Sequence, residues 1–497
     1  MRKAKTIFFA GMTAVLIGLL AFLGVARTVY AADYTWDNGS VADNNWSTPA
    51  NWNPDGTPNA GDNVIFDATS DTGCIADNVN DNLASISLNA GFTSTLTLNA
   101  DFVGGTSNEL TLTGDLTVNS GIVLCMGDTS TANGTGIVIN AANMTVGENG
   151  LVSANGQGFG PTLGPGHGIR GVGNIGTGGG YGGSGGKDMD GDAGGSPYGT
   201  QSSPAALGSG GGTGLNATGG YGGGAVKLVA SGTVTVDGTL SANGTGSGGS
   251  RTYNGGAGSG GSIWIASGTV TGSGTISVKG ATVNRYYGIR YAGGGAGGRI
   301  DLSGITYNFT GSLTAAGGSG FQDGQLGSVL LPASYLNNVT LDHNITLGND
   351  LNITGSFTVE TGATLTTGGD ITVGTTLTVN SGGAIILVGD THDVNGGTAG
   401  NPNGSGPTIT AADIVIASGG SIHADGQGFD GQQGPGRGIR GAGNLGSGGG
   451  YGGNGGKDMD GDAGGSPYGT ASAPTALGSG GGRGNRAQGG FGGGVIK

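Results

Sequence analysis

The sequence predicts an all-β protein whose strands stack as a parallel β-solenoid. Short runs alternate Val, Ile or Leu with Thr, Ser or Lys, which is typical of strands with one buried face. Gly supplies 121 of the 497 residues, and beyond the first thirty or so positions no apolar run has helical spacing. Similar strand pairs recur along the chain, as expected when each repeat packs on the next.

The N-terminus predicts a secretory signal peptide over residues 1–32. Arg2, Lys3 and Lys5 precede an apolar stretch that ends in small residues, the arrangement of a cleaved export signal. A retained membrane anchor is the alternative interpretation. Cleavage leaves 14 basic residues against 32 acidic ones. Because the mature chain is strongly acidic, we expect no nucleic-acid partner, no membrane insertion and an attraction for divalent cations.

Residues 33–75 are predicted to form an N-terminal cap, because an uncovered edge strand invites aggregation. This segment holds Trp36, Trp46 and Trp52, three of the four tryptophans. They are either packing residues of the cap or a stacking platform for carbohydrate. The two cysteines, Cys74 and Cys125, are far apart in the sequence. Whether they form a disulfide stays open.

Residues 76–497 are the predicted body of the solenoid. Ala225, Ser262 and Arg299 occupy equivalent positions, each 37 residues after the last. Every short repeat reads as a strand, a glycine turn, a second strand and a glycine tract. We therefore expect these three residues to lie in register on neighbouring strands.

A much longer duplication is superimposed on the short repeats. Residues 154–227 and 424–497 align without a gap at an offset of 270, and 54 of the 74 positions are identical. Their glycine-rich parts, at about 156–224 and 426–494, are predicted to be loops inserted at one corner of the stack. Lys497 aligns with Lys227 inside a predicted strand, so we expect a fragment that continues into further C-terminal repeats.

The predicted cap contains a W…NW…P…GD motif. The motif consists of Trp46, Asn51, Trp52, Pro58, Gly61 and Asp62. It resembles the start of many secreted bacterial surface proteins, including autotransporter-like and adhesin-like chains. The segments GSGGSIWIASGTVTGSGTIS and GGGAGGRIDLS also resemble repeats of very long bacterial extracellular proteins. The resemblance implies a right-handed β-helix at the cell surface or outside the cell, and it includes no catalytic motif.

The sharpest chemical feature is KDMDGDAGG, which begins at Lys187 and again at Lys457. Carboxylates at alternate positions around a glycine suit Ca²⁺, which takes several oxygens from a short flexible loop. The predicted calcium ligands are Asp188, Asp190, Asp192, Asp458, Asp460 and Asp462. A solvated acidic turn is the alternative, because no Glu completes the ligand set as in an EF-hand.

Aromatic and basic residues recur at matching places in the two copies and are possible glycan contacts. They are Tyr181, Tyr198, Tyr221 and Arg170 in the first copy, and Tyr451, Tyr468 and Arg440 in the second. The tyrosines either stack on sugars or form a small core within the glycine loop. The arginines either contact an anionic polysaccharide or pair with the nearby aspartates.

The sequence favours a non-enzymatic, secreted surface or matrix protein, an adhesin-like stalk that presents duplicated loops. A polysaccharide-binding or polysaccharide-degrading β-helix is the alternative. Its only candidate cluster for lyase chemistry combines Asp188, Asp190 and Asp192 with Lys187 or Arg170 on a glycine-rich loop, a poor support for catalytic geometry. Ice binding is a minor alternative, suggested by Thr-x-Thr pairs. These are Thr95/Thr97, Thr111/Thr113, Thr233/Thr235, Thr269/Thr271 and Thr376/Thr378.

Overall fold

The computed structural model describes residues 31–40, 42–248, 254–284, 291–392 and 403–497. These ranges contain parallel strands and no α-helix, so the all-β prediction is confirmed. Residues 1–30 of the predicted signal peptide lie outside the described ranges. Within the described residues, we find no helix of the length and apolar character needed to cross a membrane.

The first part of the chain builds one end of a large sheet. Its strands are β1 (Asp33–Trp36), β2 (Trp52–Asn53), β3 (Asn63–Phe66), β4 (Cys74–Ala76), β5 (Ser85–Leu88), β6 (Thr95–Leu98), β7 (Glu109–Thr111), β8 (Leu116–Cys125), β9 (Ile137–Ala141) and β10 (Met144–Ser153). A 3-10 turn, Pro49–Asn51, precedes β2. Only β1 and β2 pair antiparallel, and the other ladders between described strands are parallel.

The remaining strands continue the same sheet and add two smaller ones. Next along the chain come β11 (Ala225–Val236), β12 (Thr239–Ser241), β13 (Ser262–Gly272), β14 (Thr275–Ser277), β15 (Arg299–Asp301), β16 (Thr306–Phe309), β17 (Ser312–Thr314) and β18 (Ser328–Leu330). A 3-10 turn, Tyr335–Asn337, leads to β19 (Val339–Leu341), β20 (Ile345–Leu347), β21 (Leu351–Ile353), β22 (Phe357–Val359), β23 (Thr364–Thr367) and β24 (Ile371–Val373). The last are β25 (Thr376–Val379), β26 (Ala384–Leu387), β27 (Ile409–Thr410), β28 (Asp413–Ile416) and β29 (Ser421–His423). Here module 1 denotes residues 154–227, and module 2 denotes residues 424–497.

The strand register follows the sequence repeats. Ala225 lies opposite Ser262, and Ser262 lies opposite Arg299, which confirms the predicted 37-residue repeat. Further along the chain the repeat shortens to 20 residues. Leu365 lies opposite Ile345 on one neighbouring strand and opposite Ile385 on the other. Each repeat therefore stacks its strands directly on those of its neighbour.

An aliphatic core runs through the stack from the first strands to module 2. The register aligns Val226, Ile263, Ile300 and Val329 in one ladder, and each is at most 1% exposed. Alternate side chains of parallel strands point to the same face, so one ladder places four such side chains in direct contact. Burial of these ladders is the main apolar contribution to stability.

The tryptophans of the predicted cap belong to this core. Trp36, Trp46 and Trp52 are fully buried. The Trp52 ring lies 5.1 Å from that of Trp36 and 4.7 Å from that of Trp46, both edge-on. The packing interpretation is therefore correct for all three, and buried rings are no platform for carbohydrate. The predicted boundary at residue 75 falls within β4, which pairs with β6.

The two cysteines are buried and unbonded. Cys74 lies on β4 and Cys125 on β8, and β6 lies between these strands. Two inter-strand spacings amount to about 9.6 Å, which exceeds the reach of a disulfide. Burial raises the pKa of the Cys125 thiol to about 12.

Glycine tracts of the repeats form a buried layer of backbone, a packing that the sequence did not predict. The segment 256–261 shows its construction. The N–H groups of Gly256 and Ser259 donate to the carbonyl oxygens of Gly212 and Ser209. Those of Ala257 and Gly260 donate to the carbonyl oxygens of Gly293 and Ala296. Those of Gly258 and Gly261 donate to the carbonyl oxygens of Thr245 and Ala242. Every third residue thus bonds to the same neighbour, which is the symmetry of a polyproline II helix with three residues per turn.

The next tract, residues 293–298, repeats this threefold pattern. The N–H groups of Gly293 and Ala296 donate to the carbonyl oxygens of Gly176 and Gly179. Those of Gly294 and Gly297 donate to the carbonyl oxygens of Gln322 and Gln325. Those of Gly295 and Gly298 donate to the carbonyl oxygens of Ala281 and Val278. Each extended segment is thereby held by up to three others. Backbone hydrogen bonds replace apolar side chains in this layer, and the buried polar groups of the backbone are satisfied.

Glycine is required at many of these positions, because the segments there lie too close for a side chain. A Cβ atom at Gly256 would lie 1.8 Å from the Thr177 carbonyl oxygen, and one at Gly293 would lie 1.8 Å from that of Gly186. No real Cβ makes such contacts with backbone. The high glycine content therefore defines a core in which main chains are in direct contact.

The two modules offer a matched test of this packing. A Cβ at Gly186 would lie 1.9 Å from the Gln322 carbonyl oxygen, whereas a Cβ at the equivalent Gly456 has no atom within 4 Å. We expect Gly186→Ala to lower the free energy of unfolding by about 2–3 kcal/mol or more through overpacking. Gly456→Ala should be neutral or stabilising by up to about 1 kcal/mol. Urea unfolding measures both, and equal losses would contradict a packed glycine layer in module 1.

Candidate functional site

Each module carries the predicted acidic turn, and the two turns have the same geometry. Asp188 Oδ1 accepts hydrogen bonds from the backbone N–H groups of Asp190 at 3.1 Å and Asp192 at 3.0 Å. The corresponding bonds in module 2 measure 3.1 and 2.9 Å. Gly191 has a φ of +92°, a conformation that favours glycine. The predicted bend at this glycine is thus present.

The second oxygen of Asp188 is buried and has no hydrogen-bond partner, and the same is true of Asp458 Oδ2. A Cβ at Gly171 would lie 2.1 Å from Asp188 Oδ2 and 2.3 Å from Asp192 Oδ2, so both oxygens approach the same glycine. Burial, with the charges of neighbouring aspartates, raises the pKa of Asp188 to about 6. A buried carboxylate oxygen of this kind favours uptake of a proton or a cation.

The acidic turn fits a hard cation in part. Asp188 Oδ2 is available, but Asp192 Oδ2 already accepts the Val172 N–H at 2.7 Å. Within the described residues, no group of three or more His, Cys, Asp or Glu side chains is arranged to hold a metal ion. A bound cation would therefore take further oxygens from backbone carbonyls or water. Calcium binding stays a prediction.

Tyr181 is fully buried, so its assignment as a glycan contact is corrected. Its hydroxyl lies 2.6 Å from Ser262 Oγ, and the Arg299 guanidinium lies 5.3 Å from its ring centroid. The Tyr198 ring packs 4.8 Å away, and its hydroxyl donates to the Leu207 carbonyl oxygen. These two tyrosines form the small core that the sequence analysis gave as the alternative.

The other predicted glycan contacts are more accessible. Tyr221 is exposed, whereas Tyr451 and Tyr468 are half-buried and pair at 5.1 Å. Arg170 is exposed and donates to Asn174 Oδ1 at 2.6 Å. Arg440 is exposed and donates to Asn444 Oδ1 in the same way. Among the described residues neither arginine forms the predicted ion pair with an aspartate.

A cleft of about 800 Å³ lies between the modules, and sequence reasoning did not find it. Its lining includes Gly182, Gly183 and Pro197 of module 1, Gln325, Thr346, Asn349 and Asp390 of the intervening repeats, and Asp425, Gln427 and Phe491 of module 2. Phe491 is 47% exposed. Carboxylate, amide and hydroxyl groups beside an open aromatic ring are suited to a polar ligand with an apolar face.

Two glutamines connect the parts of the chain that surround this cleft. Gln325 Oε1 accepts the Ser184 N–H at 2.9 Å, and Gln325 Nε2 donates to Asp390 Oδ1 at 2.8 Å. Gln322 makes the same bridge between the Lys187 N–H and the Thr391 carbonyl oxygen, at 3.0 and 3.1 Å. The partners are distant in the sequence, so no local motif marks these residues.

His392 lines the cleft with its side chain 12% exposed, and Nδ1 lies 3.7 Å from Asp390 Oδ1. Burial is the main reason that its pKa falls to about 4, and the positive charge of Lys187 lowers it further. The imidazole is therefore neutral at pH 7. Neutral His392 lies near Lys187 of module 1 and Asp390 of the intervening repeats.

Two further ionisable residues, Lys187 and His343, are at least partly buried. Lys187 is half-buried, and burial lowers its pKa. His343 lies between Asp342 Oδ1 and the Tyr307 hydroxyl, each at 2.8 Å. Both Tyr307 and His343 are buried, so this chain of hydrogen bonds is part of the core.

Two of the predicted Thr-x-Thr pairs stack on each other. Thr233 and Thr235 lie opposite Thr269 and Thr271. On the next strand the positions hold Thr306 and Asn308, so the array of paired threonines ends after two strands. A regular face of such pairs, as ice binding would require, is therefore not formed at this place.

Comparisons with known proteins give no relative. No protein family, no curated protein and no solved structure matches the chain.

Protonation of His392 should destabilise the protein in acid. Its pKa is about 6.5 in the unfolded chain and about 4 in the folded one, so the unfolded state binds more protons between these values. Stability from neutral His392 is complete above pH 6.5 and is lost as the pH falls towards 4, by up to about 3 kcal/mol. Urea unfolding at pH 7 and pH 4 measures this loss.

His392→Gln should remove this part of the pH dependence, whereas His423→Gln, at a half-buried histidine, should retain it. If the free energy of unfolding of His392→Gln fell between pH 7 and pH 4 as much as that of the native chain, His392 would not be the group responsible.

Proposed function

We propose that the protein is a secreted or cell-surface, non-enzymatic stalk, adhesin-like, that holds two glycine modules on a right-handed parallel β-helix. The in-register parallel ladders of 37- and 20-residue repeats support the β-helix. Its resemblance to bacterial surface proteins supports the location. The observation that carries the function is the acidic turn, which recurs with the same hydrogen bonds in both modules.

Presentation of two identical turns by one stiff support suits binding to a repetitive surface. Asp190 and Asp460 are exposed in the two turns, so both modules offer the same groups to a partner. A rigid connection raises the effective concentration at the second site once the first is bound, and avidity exceeds either single affinity. The partner class that we propose is a cell-surface or matrix polysaccharide.

A surface-binding experiment tests this proposal. In one variant Asp188, Asp190 and Asp192 are changed to Asn, and in a second the equivalent aspartates of module 2 are changed. Asn keeps the oxygen that accepts the turn hydrogen bonds. Each variant should bind whole cells or a dense glycan array about 10²-fold or more weakly than the native chain, because avidity is lost. Native-like binding by either variant would contradict two-point attachment.

The cleft between the modules supports a second candidate, binding of one polysaccharide chain along its polar lining. Asn349→Ala and Phe491→Ala, made with both acidic turns intact, separate this from the first candidate. Because the cleft is a single site, these variants should weaken binding of a soluble oligosaccharide as strongly as binding to a surface. The acidic-turn variants should weaken binding to the surface only.

We further propose that each acidic turn binds a calcium ion. The support is the buried, unpartnered Oδ2 of Asp188 and of Asp458, which a cation would neutralise. The ion would be held by Asp188, Asp190 and Asp192 in module 1, and by the equivalent aspartates in module 2, with backbone or water oxygens completing the ligand set. Asp192 and Asp462 also accept backbone N–H groups, which anchors the adjoining backbone.

Calorimetric titration of calcium tests the proposal that each acidic turn binds a calcium ion. We expect about two ions per chain, a raised thermal midpoint and loss of both effects when all six aspartates are changed to Asn. A control variant carries the same substitution at exposed aspartates elsewhere, Asp55, Asp71 and Asp101, and should bind as the native chain does. Equal heats from the native and six-Asn proteins would show that the turns are only solvated.

A further inference from the structure

The two modules present the same glycine surface in different surroundings. We call this surface the glycine face. In module 1 it consists of Gly176, Gly179, Gly182, Gly186, Gly220 and Gly223, and in module 2 of the equivalent Gly446, Gly449, Gly452, Gly456, Gly490 and Gly493. Since the sequence of the face is identical, any difference between the two copies arises from what lies against it.

In module 1 the face is covered by the following repeats of the same chain. The N–H groups of its six glycines donate to the carbonyl oxygens of Asn254, Ala257, Gly297, Gly294, Gly256 and Ser259, at distances of 2.8 to 3.0 Å. Five of the six glycines are buried, and Gly182 is half-buried. The covering segments are the glycine tracts that begin at residues 254 and 293.

In module 2 the same six N–H groups have no hydrogen-bond partner within the described part of the chain. Gly446, Gly452, Gly456, Gly490 and Gly493 are exposed. Around four of these glycines, Gly446 excepted, a Cβ would meet no atom within 4 Å. A row of free backbone donors in an extended segment favours pairing with another extended chain.

The neighbouring strands are uncovered at the same end. β28 and β29 correspond to β10 at the offset of 270. β10 pairs with β11 and β12 of the following repeat, whereas β28 pairs only with β25 and β29 only with β26 among the described strands. Ile414, Val415 and Ile416 are therefore about half exposed, at 49, 50 and 49%.

Tyr451 marks the same difference. In module 1 the Tyr181 hydroxyl meets Ser262, and Arg299 lies over the ring. The equivalent Tyr451 lines an open pocket of about 350 Å³ together with Phe491 and glycines of module 2. The space that the following repeat fills in module 1 is thus open in module 2.

The glycine face of module 2 and the uncovered sides of β28 and β29 form one surface, which we call the end surface. We propose that the end surface is a docking site for a polypeptide unit with the chemistry of residues 228–302, namely alternating strands followed by extended glycine tracts. The same surface of module 1 already binds such a unit, and this contact identifies the chemistry of the occupant. The tract has to be glycine, because a Cβ at Gly258 would lie 2.0 Å from the Tyr221 carbonyl oxygen. This inference does not depend on the calcium or polysaccharide proposals.

A graft onto the full chain tests the proposal. Residues 228–331 are repeated after Lys497, the equivalent of Lys227, and amide hydrogen exchange is followed by mass spectrometry. Peptides from the two faces are distinguished because Ser184 in module 1 is Asn454 in module 2. Exchange at the module 2 face should be fast in the native chain, and about 10²-fold or more slower in the graft, as in module 1.

A control graft carries Val at the positions of Gly256, Gly258 and Gly293, and should leave the module 2 face unprotected. A second measurement does not depend on that variant folding. Gly456→Ala should be neutral in the native chain and should destabilise the grafted chain as Gly186→Ala does. Three results would overturn the proposal: unchanged exchange in the graft, full protection in the native chain, or protection that rises with protein concentration, which would identify a second copy as the occupant.

Discussion

Close contact between glycine backbones is the constraint on which the rest of the molecule depends. Where a Cβ would lie within about 2 Å of a neighbouring carbonyl oxygen, as at Gly256 and Gly293, only glycine allows the main chains to approach and exchange hydrogen bonds. The threefold pattern at residues 256–261 then ties each extended segment to three others.

The strand stack was predictable because its signal is local and periodic. Alternation of apolar and polar residues marks each strand, and equal spacing of Ala225, Ser262 and Arg299 gave the register that the ladders confirm. The bend at Gly191 was predictable for a similar reason, since the aspartates and the glycine that form it are adjacent in the sequence. Such features need no knowledge of distant contacts.

The glycine layer and the cleft were not predictable in this way. A glycine tract carries no side-chain pattern, so the sequence of residues 254–261 does not predict burial. Gly256 and Gly258 are nevertheless buried. Gln322 and Gln325 form their bridges to segments 65 to 141 residues away. Tyr181 was open to either interpretation because its burial depends on Ser262 and Arg299, which belong to later repeats.

Near-identity of the two modules does not make them equivalent. The acidic turn is built from contacts within one module, so it has the same geometry in both. The glycine face is completed from outside, so Gly186 is buried while Gly456 is exposed. Duplication therefore conserves those properties that a module generates alone, and it leaves to the neighbouring repeat every property that requires a second layer. A stack of such units carries the same turn at each step and has an uncovered face wherever the next layer is absent.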